Sequence, residues 1–368
     1  MSKHGKVLVA MSGGIDSTVT AVMLKEQGYE VIGITMKTWD YANSGGNKKE
    51  TGCCSLDSIN DARAICVEHD IPHFILDIRS EFGDFVINDF VNEYLSGRTP
   101  NPCVLCNTHI KWEALMKRAN NLDCEFIATG HYANVRKEND RFVVSKGADA
   151  WKDQSYVLWG VSQANLSRTM LPMGQYHKKD IKQMALDWGY TELANKSESY
   201  EICFIPDNDY RGFLKRRVDG LEEKVDGGAF VDKDGTPLGK HKGFPFYTIG
   251  QRKGLGVYGE EPKYVVDIDA TNNQIVLGEK NELQRDGMFV NDLNMVKYAS
   301  IPDGLQSITK VRYKHEGAPA VLSNEGDGIL RAEFAVPVDA IAPGQSAVFY
   351  EGDDLLGGGR ILSSFKTD

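Results

Sequence analysis

The sequence predicts an α/β N-terminal domain built on a parallel sheet, followed by two small, mainly-β, barrel-like domains. Three observations carry this. The first half alternates apolar runs with helical patterns, the chain breaks into short turn-separated strands after about Asp207, and 368 residues exceed the usual range of one domain. In the first half, Val7-Leu8-Val9, Val31 to Met36, Phe74 to Ile78 and Phe126 to Thr129 read as short buried strands. Thr18 to Gln27, Ser55 to His69, Ser80 to Leu95, Asn107 to Asn120 and Lys178 to Trp188 read as helices. Such alternation implies a sheet covered on both faces, with ligands bound beyond the carboxyl ends of its strands. After one more helix, Asp209 to Val218, the runs Ala229-Phe230-Val231, Tyr264 to Ile268, Gln274 to Leu277, Ile308 to Tyr313 and Ala347 to Tyr350 suggest small antiparallel barrels. A soft break near Asn281 to Gly287 divides them, giving domains 1–206, 207–282 and 283–368.

Hydrophobic content of 41% and charged content of 26% are ordinary for a globular chain. No apolar run reaches the roughly 20 residues that span a bilayer, and Met1 to Lys6 has no signal-peptide core, so a cytoplasmic protein without a membrane partner is expected. Seven cysteines then read as thiols, metal ligands or catalytic groups. A net charge of −10 argues mildly against a nucleic-acid partner. Basic clusters at Arg136-Lys137, Lys178-Lys179, Lys215-Arg216-Arg217, Lys240-His241-Lys242, Arg252-Lys253 and Lys310 to His315 weaken that objection, because local charge tracks a phosphate backbone whatever the global sign.

The stretch Ala10-Met11-Ser12-Gly13-Gly14-Ile15-Asp16-Ser17 links the first strand to the first helix. Glycines let the backbone approach an anion, first-turn N–H groups point at it, the two serine hydroxyls add donors, and Asp16 suits a Mg2+ that bridges phosphates. SGG-x-DS resembles the PP-loop of ATP pyrophosphatases, which cleave ATP between its α and β phosphates and adenylate a substrate. The Gly- and Lys-rich stretch between Trp39 and Cys54 reads as a mobile loop over ATP.

A second motif, Pro100-Asn101-Pro102-Cys103-Val104-Leu105-Cys106-Asn107, places thiols just before a helix expected to begin near Asn107, where positive potential favours the thiolate. Cys203 follows in Glu201-Ile202-Cys203-Phe204-Ile205. The paired cysteines 103 and 106 lack the second C-x-x-C of a zinc ribbon. Cys66 and Cys124 read as packing residues, while Cys53 and Cys54 lie in the loop. Taken in order, SGG-x-DS, PNPC-x-x-CN, ATGHYA from Ala128, KDQSY from Lys152 and EICFI from Glu201 resemble the bacterial tRNA-specific 2-thiouridylase (MnmA/TrmU) family. Tyr247 to Arg252 and Ala342 to Ala347 extend the resemblance over nearly the whole chain.

The resemblance implies an enzyme that replaces O2 of the wobble uridine of lysine, glutamate and glutamine tRNAs with sulfur, using ATP and Mg2+. Its ATP contacts correspond to Ala10, Met11, Ser12, Gly13, Gly14, Ile15, Asp16, Ser17, Met36 and Gly130. Cys106 corresponds to the nucleophile and Cys203 to the persulfide carrier. Asn101, Pro102 and Cys103 correspond to the segment that meets the target base, and His131, Lys152, Asp153, Gln154, Arg312, Tyr313 and Gln345 to tRNA contacts. Some similar chains have aspartate where Cys103 stands. The extra thiol makes Cys103, Cys106 and Cys203 three candidate ligands for a [4Fe-4S] cluster, so persulfide and cluster routes both stay open. A cysteine desulfurase or sulfur-relay protein is the implied donor. Tyr132, Tyr156 and Tyr200 are candidates for contacts with an unstacked base. The competing readings are another PP-loop adenylating enzyme, a cysteine-based metal or redox sensor with a regulatory nucleotide, and an RNA-binding adaptor.

Overall fold

The computed structural model describes residues 4–39, 55–196, 202–257 and 261–367. The chain forms two compact units. The first takes Met1–Val86, Cys103–Asp209 and Asp353–Leu355; the second takes Ile87–Pro102, Tyr210–Gly352 and Leu356–Asp368.

The first unit is organised by a parallel sheet. Its strands are β1 (Lys6–Ala10), β2 (Glu30–Lys37), β3 (His73–Asp77) and β4 (Phe126–Ala128). A hairpin of β5 (Ala133–Glu138) and β6 (Arg141–Lys146) follows, and then the short β7 (Thr169–Met170). The sheet runs β3-β2-β1-β4-β7, all parallel, with Val7 beside Val31 on one side and Phe126 on the other. β1 is central, and Val7, Leu8 and Val9 are fully buried, which is why its apolar run does not alternate. β3 is different from the buried strand expected there: it is an edge, and Phe74 and Ile75 remain partly exposed.

Helix α1 (Ile15–Glu26) is buried on two faces. Ala21 and Leu24 pack with Val7, Val9 and Val31 and with Ala62 and Cys66 of α2 (Leu56–Glu68). Ile15, Val19 and Met23 pack with Tyr132, Met173, Ile181 and Ala185, the last two on the helix Lys178–Asp187. A helix hydrophobic nearly all round is the consequence. The thiol-bearing helix begins at Pro102, earlier than the expected Asn107, because proline's fixed φ suits a first turn where its missing N–H costs nothing. It continues through a π-helical stretch, Cys106–Lys111, into Trp112–Asn121. Cys103 and Cys106 therefore lie within the opening turns and not ahead of them.

In the second unit the helices Asn88–Leu95 and Tyr210–Arg217 meet through Phe90 and Phe213, with ring centroids 5.9 Å apart, and through stacked Tyr94 and Tyr210 at 4.8 Å. Strands β8 (Gly228–Val231), β9 (Pro237–His241), β10 (Tyr264–Asp269) and β11 (Gln274–Gly278) form a sheet ordered β10-β11-β8-β9. One of its pairings, β8 with β11, is parallel, which departs from the all-antiparallel expectation.

The remaining strands are β12 (Gln284–Met295), β13 (Leu305–Lys310), β14 (Ala318–Gly326), β15 (Ile329–Asp339), β16 (Ser346–Glu351) and β17 (Asp354–Phe365). They run β12-β15-β14-β13-β16-β17, and β12 pairs again with β17, so the barrel closes and leaves no edge. Met288, Val290, Leu322, Leu330, Phe349, Leu356 and Ile361 fill it. No helix among the described residues is long and apolar enough to cross a membrane.

All five tryptophans lie before Gly189, so the barrel is silent in tryptophan fluorescence. Truncating the fully buried Phe349 to alanine is expected to cost about 3–5 kcal/mol, read as a lower urea midpoint of the far-UV circular dichroism change. An unchanged midpoint would show that Phe349 does not hold the barrel.

Candidate active site

The loop between β1 and α1 folds as its sequence dictates. Gly13 has φ +67°, and a Cβ there would stand 2.0 Å from the Ser58 carbonyl oxygen, so only glycine fits. Ser17 Oγ donates to the Gly14 carbonyl at 3.0 Å and accepts from the Ser12 N–H at 3.1 Å, drawing the two ends of the motif together. The Ser12 and Ser17 hydroxyls are 3.2 Å apart. No side chain caps α1 at Gly14, so its first-turn N–H groups face the loop, the arrangement that receives a phosphate. A Cβ on Gly130, just past β4, would stand 2.9 Å from the Asp16 carbonyl carbon, which leaves no room for a side chain. Ala10 ends β1, and Met36 lies near the carboxyl end of β2.

Two lysines reach this loop from distant sequence. Lys178, at the start of its helix and almost fully buried, donates from Nζ to both carboxylate oxygens of Asp16 at 2.7 and 2.8 Å. The Tyr132 hydroxyl donates to the same carboxylate at 2.6 Å. Lys196 Nζ donates to the Gly13 carbonyl at 3.2 Å and pairs with Asp61 at 2.7 Å. Sequence reasoning missed both roles. The Lys178-Lys179 pair was visible as a basic cluster, but nothing local to Lys196 marks it.

Asp153 and Gln154 of the motif Lys152-Asp153-Gln154 hydrogen-bond the backbone around Tyr132. Gln154 pairs with the Tyr132 main chain through its own N–H at 2.8 Å and through Oε1 at 3.0 Å. Asp153 accepts from the Gly147 and Ser155 N–H groups, both at 3.1 Å, and from the Ser155 hydroxyl at 2.9 Å. Lys152 is half-buried, with its N–H on the Asp149 carbonyl. Tyr132 and Tyr156 are buried, so neither presents a ring for stacking on a base; Tyr200 lies outside the described residues. His131 is also buried. Its Nδ1 is 2.8 Å from the Thr129 hydroxyl, and burial together with the nearby positive charge of Lys111 pushes its pKa down to about 3. It is therefore a neutral imidazole at physiological pH.

Among the thiols, Cys106 is buried and Cys203 half-buried. Cys203 is carried on a turn closed by the Ile205 N–H on the Ile202 carbonyl and anchored by Phe204, which meets Phe82 edge-on at 5.7 Å. Cys103 is exposed to solvent along part of its surface, with protein packed about the sulfur. That desolvation raises its thiol above the ordinary value, with Lys111 opposing, so the depressed value expected from its helical position is not found. Asn107 sends Nδ2 to the Val157 carbonyl at 2.9 Å. Cys66 and Cys124 are buried as expected, and burial pushes the Cys66 thiol up to about 11. Cys53 and Cys54 lie outside the described residues.

Among the described residues no group of three or more histidine, cysteine, aspartate or glutamate side chains is gathered to hold a metal. In the second unit, Asn101 is half-buried and Pro102 buried, Arg312 Nη1 donates to the Asp339 carbonyl at 3.2 Å, Tyr313 is partly exposed, and Gln345 donates to the carbonyls of Thr99 and Pro100.

Three family models match the chain: the tRNA methyl transferase HUP domain over residues 5–207, the tRNA methyl transferase PRC-barrel domain over 211–279, and the aminomethyltransferase beta-barrel domain over 285–361. A tRNA-specific 2-thiouridylase MnmA of Cytophaga hutchinsonii is 66% identical over 370 residues, covering 100% of both chains. The protein of that description from Amoebophilus asiaticus is 65% identical, over 99% of this chain and 97% of the relative. The chain belongs to the tRNA-specific 2-thiouridylase family. A third member, from Salinibacter ruber, is 57% identical over 98% of this chain and 95% of its own. The phosphate loop, the braced Asp16 and the thiols of this thiouridylase all fall within the span of the HUP-domain match.

The neutral His131 fixes a pH dependence. Its folded pKa lies below the ordinary 6.5, so its contribution to stability is complete above pH 6.5 and is lost as pH falls toward 3, at about 1.4 kcal/mol per unit. Between pH 6.5 and 5 the unsubstituted chain is expected to lose about 2 kcal/mol more than His131→Asn, measured by urea unfolding at both pH values. Equal losses would refute a buried neutral imidazole.

Proposed function

We propose that this thiouridylase activates O2 of the wobble uridine in lysine, glutamate and glutamine tRNAs by adenylation and then replaces it with sulfur, releasing AMP and pyrophosphate. The supporting observation is the loop around Ser12 to Ser17, with an uncapped helix N-terminus and a buried lysine on Asp16. A uracil C2 carbonyl is a poor electrophile because oxide does not leave. Joining O2 to the α phosphate of ATP turns that oxygen into part of a good leaving group, AMP, and expels pyrophosphate. Developing charge on the phosphates is met by the α1 N–H groups, the Ser12 and Ser17 hydroxyls and Lys178. Asp16 is the carboxylate that would hold a Mg2+ entering with ATP, an ion that would supply further charge neutralisation, and Lys178 beside it would supply positive charge to the phosphates.

Sulfur reaches the site as a persulfide on Cys203, delivered by a cysteine desulfurase or relay protein. The Cys106 thiolate attacks the inner sulfur, forming a Cys106–Cys203 disulfide and releasing the outer sulfur as sulfide. Sulfide adds at C2 and AMP departs with O2. A dithiol reductant returns the disulfide to two thiols before the next turnover.

Anaerobic incubation with ATP, Mg2+, a persulfide donor and unmodified glutamate tRNA is expected to give wobble 2-thiouridine by nucleoside mass spectrometry. Cys203→Ser should abolish thiouridine while tRNA-dependent pyrophosphate release continues, since Cys203 acts only in the second step. Thiolation by Cys203→Ser at the unsubstituted rate would remove it from the chemistry. Asp16→Asn should lower pyrophosphate release by at least about 100-fold with tRNA binding intact, and undiminished release would refute its role.

A further inference from the structure

Pro100 and Pro102 flank Asn101 immediately before Cys103, and neither has an N–H. This stretch cannot build a ladder of its own, and its carbonyls need outside donors. The structure supplies them from the turn between β15 and β16. Gln345 Nε2 donates to the Thr99 carbonyl at 3.1 Å and to the Pro100 carbonyl at 2.8 Å, while the Thr99 N–H donates to the Pro343 carbonyl at 2.8 Å. The turn is itself fixed: the Gly344 N–H donates to the Ile361 carbonyl at 2.9 Å, and the Ile361 N–H to the Gln345 carbonyl at 2.8 Å. Gly344 has φ +89°, and a Cβ there would lie 2.7 Å from Glu93 Oε2 and 2.8 Å from the Thr99 oxygen, so turn and segment meet backbone to backbone.

The upstream end is fastened as well. Buried Glu93 accepts from Arg98 Nε at 2.9 Å and from Arg98 Nη2, and pairs with Arg360 at 3.1 Å; Arg360 also holds Asp89 at 3.0 Å. Resemblance places Gln345 among tRNA contacts, yet both amide hydrogens are directed at main-chain carbonyls of this segment. We infer that Gln345 is a positioning residue: from the barrel it sets the Thr99–Pro102 segment that leads into Cys103. The inference rests on the thiolation reading for its kinetic consequence and on geometry alone for its structural one.

Two variants of the full chain test it. Gln345→Ala removes both donors, and Gln345→Glu keeps the shape but turns a carboxylate toward two carbonyl oxygens. Hydrogen–deuterium exchange without RNA should quicken in the peptide spanning Arg98 to Cys103 in both variants, with β14 and β15 unchanged. The kcat should fall about tenfold or more, because misplacing a reacting segment by an ångström is costly. Unchanged exchange in both variants would overturn the proposal whatever the kinetics. So would a raised Kd with unchanged kcat, the signature of a direct tRNA contact. If the unsubstituted chain makes no thiouridine, the function reading fails, and the exchange result alone judges Gln345.

Discussion

The carboxylate of Asp16 is the point on which the first unit turns. It sits in the first turn of α1, where the helix field favours a negative charge, and it receives Lys178 from a helix 162 residues away in the chain and Tyr132 from just beyond β4. Tyr132 is in turn paired with Gln154, whose neighbour Asp153 closes the loop from Gly147 to Ser155. Three separate segments are thereby referred to one atom pair at the phosphate loop. A displacement of any of them would move the loop's charge.

That arrangement also solves an electrostatic problem. A lysine as deeply buried as Lys178 costs several kcal/mol if its charge has no partner. Asp16 supplies the partner, and the Tyr132 hydroxyl satisfies a remaining lone pair, so the cation is kept beside the phosphate loop as one of a hydrogen-bonded pair. Keeping His131 neutral nearby follows the same logic: a second buried cation next to Lys111 would be uncompensated, and burial removes it. The overall acidity of the chain, −10, says nothing about this locality, since the charges that matter are placed by the fold and not by composition.

What was legible in the sequence was what is local. Gly13 and the hydroxyls of Ser12 and Ser17 occupy a six-residue span, and their hydrogen bonds close within it, so the loop could be read directly. The parallel sheet was legible because Val7 to Val9 are buried on both faces and lack alternation. Long-range partners were not. Lys178 and Lys196 join the loop only when the chain has folded, and no spacing rule relates them to residue 16 or 13. The start of the thiol helix was misjudged because Pro102 reads equally as loop stiffener and as first helical residue, and tertiary context chose the second. Tyr132 shows the same limit: a tyrosine in an ATGHYA motif is equally suited to stacking on a base or to a buried hydrogen bond, and only the position of Asp16 decides between them.

The raised Cys103 thiol bears on how the sulfur chemistry is divided. A helix N-terminus lowers a thiol pKa only where its field exceeds the cost of taking the thiolate out of water, and at Cys103 desolvation outweighs the opposing charge of Lys111. A thiol held in its protonated form is a poor nucleophile and a poor metal ligand. Its surroundings therefore disfavour the Cys103 thiolate, with Lys111 opposing. The geometry of the segment before it is set from elsewhere in the fold, by Gln345 on the Thr99 and Pro100 carbonyls and by the Thr99 N–H on the Pro343 carbonyl.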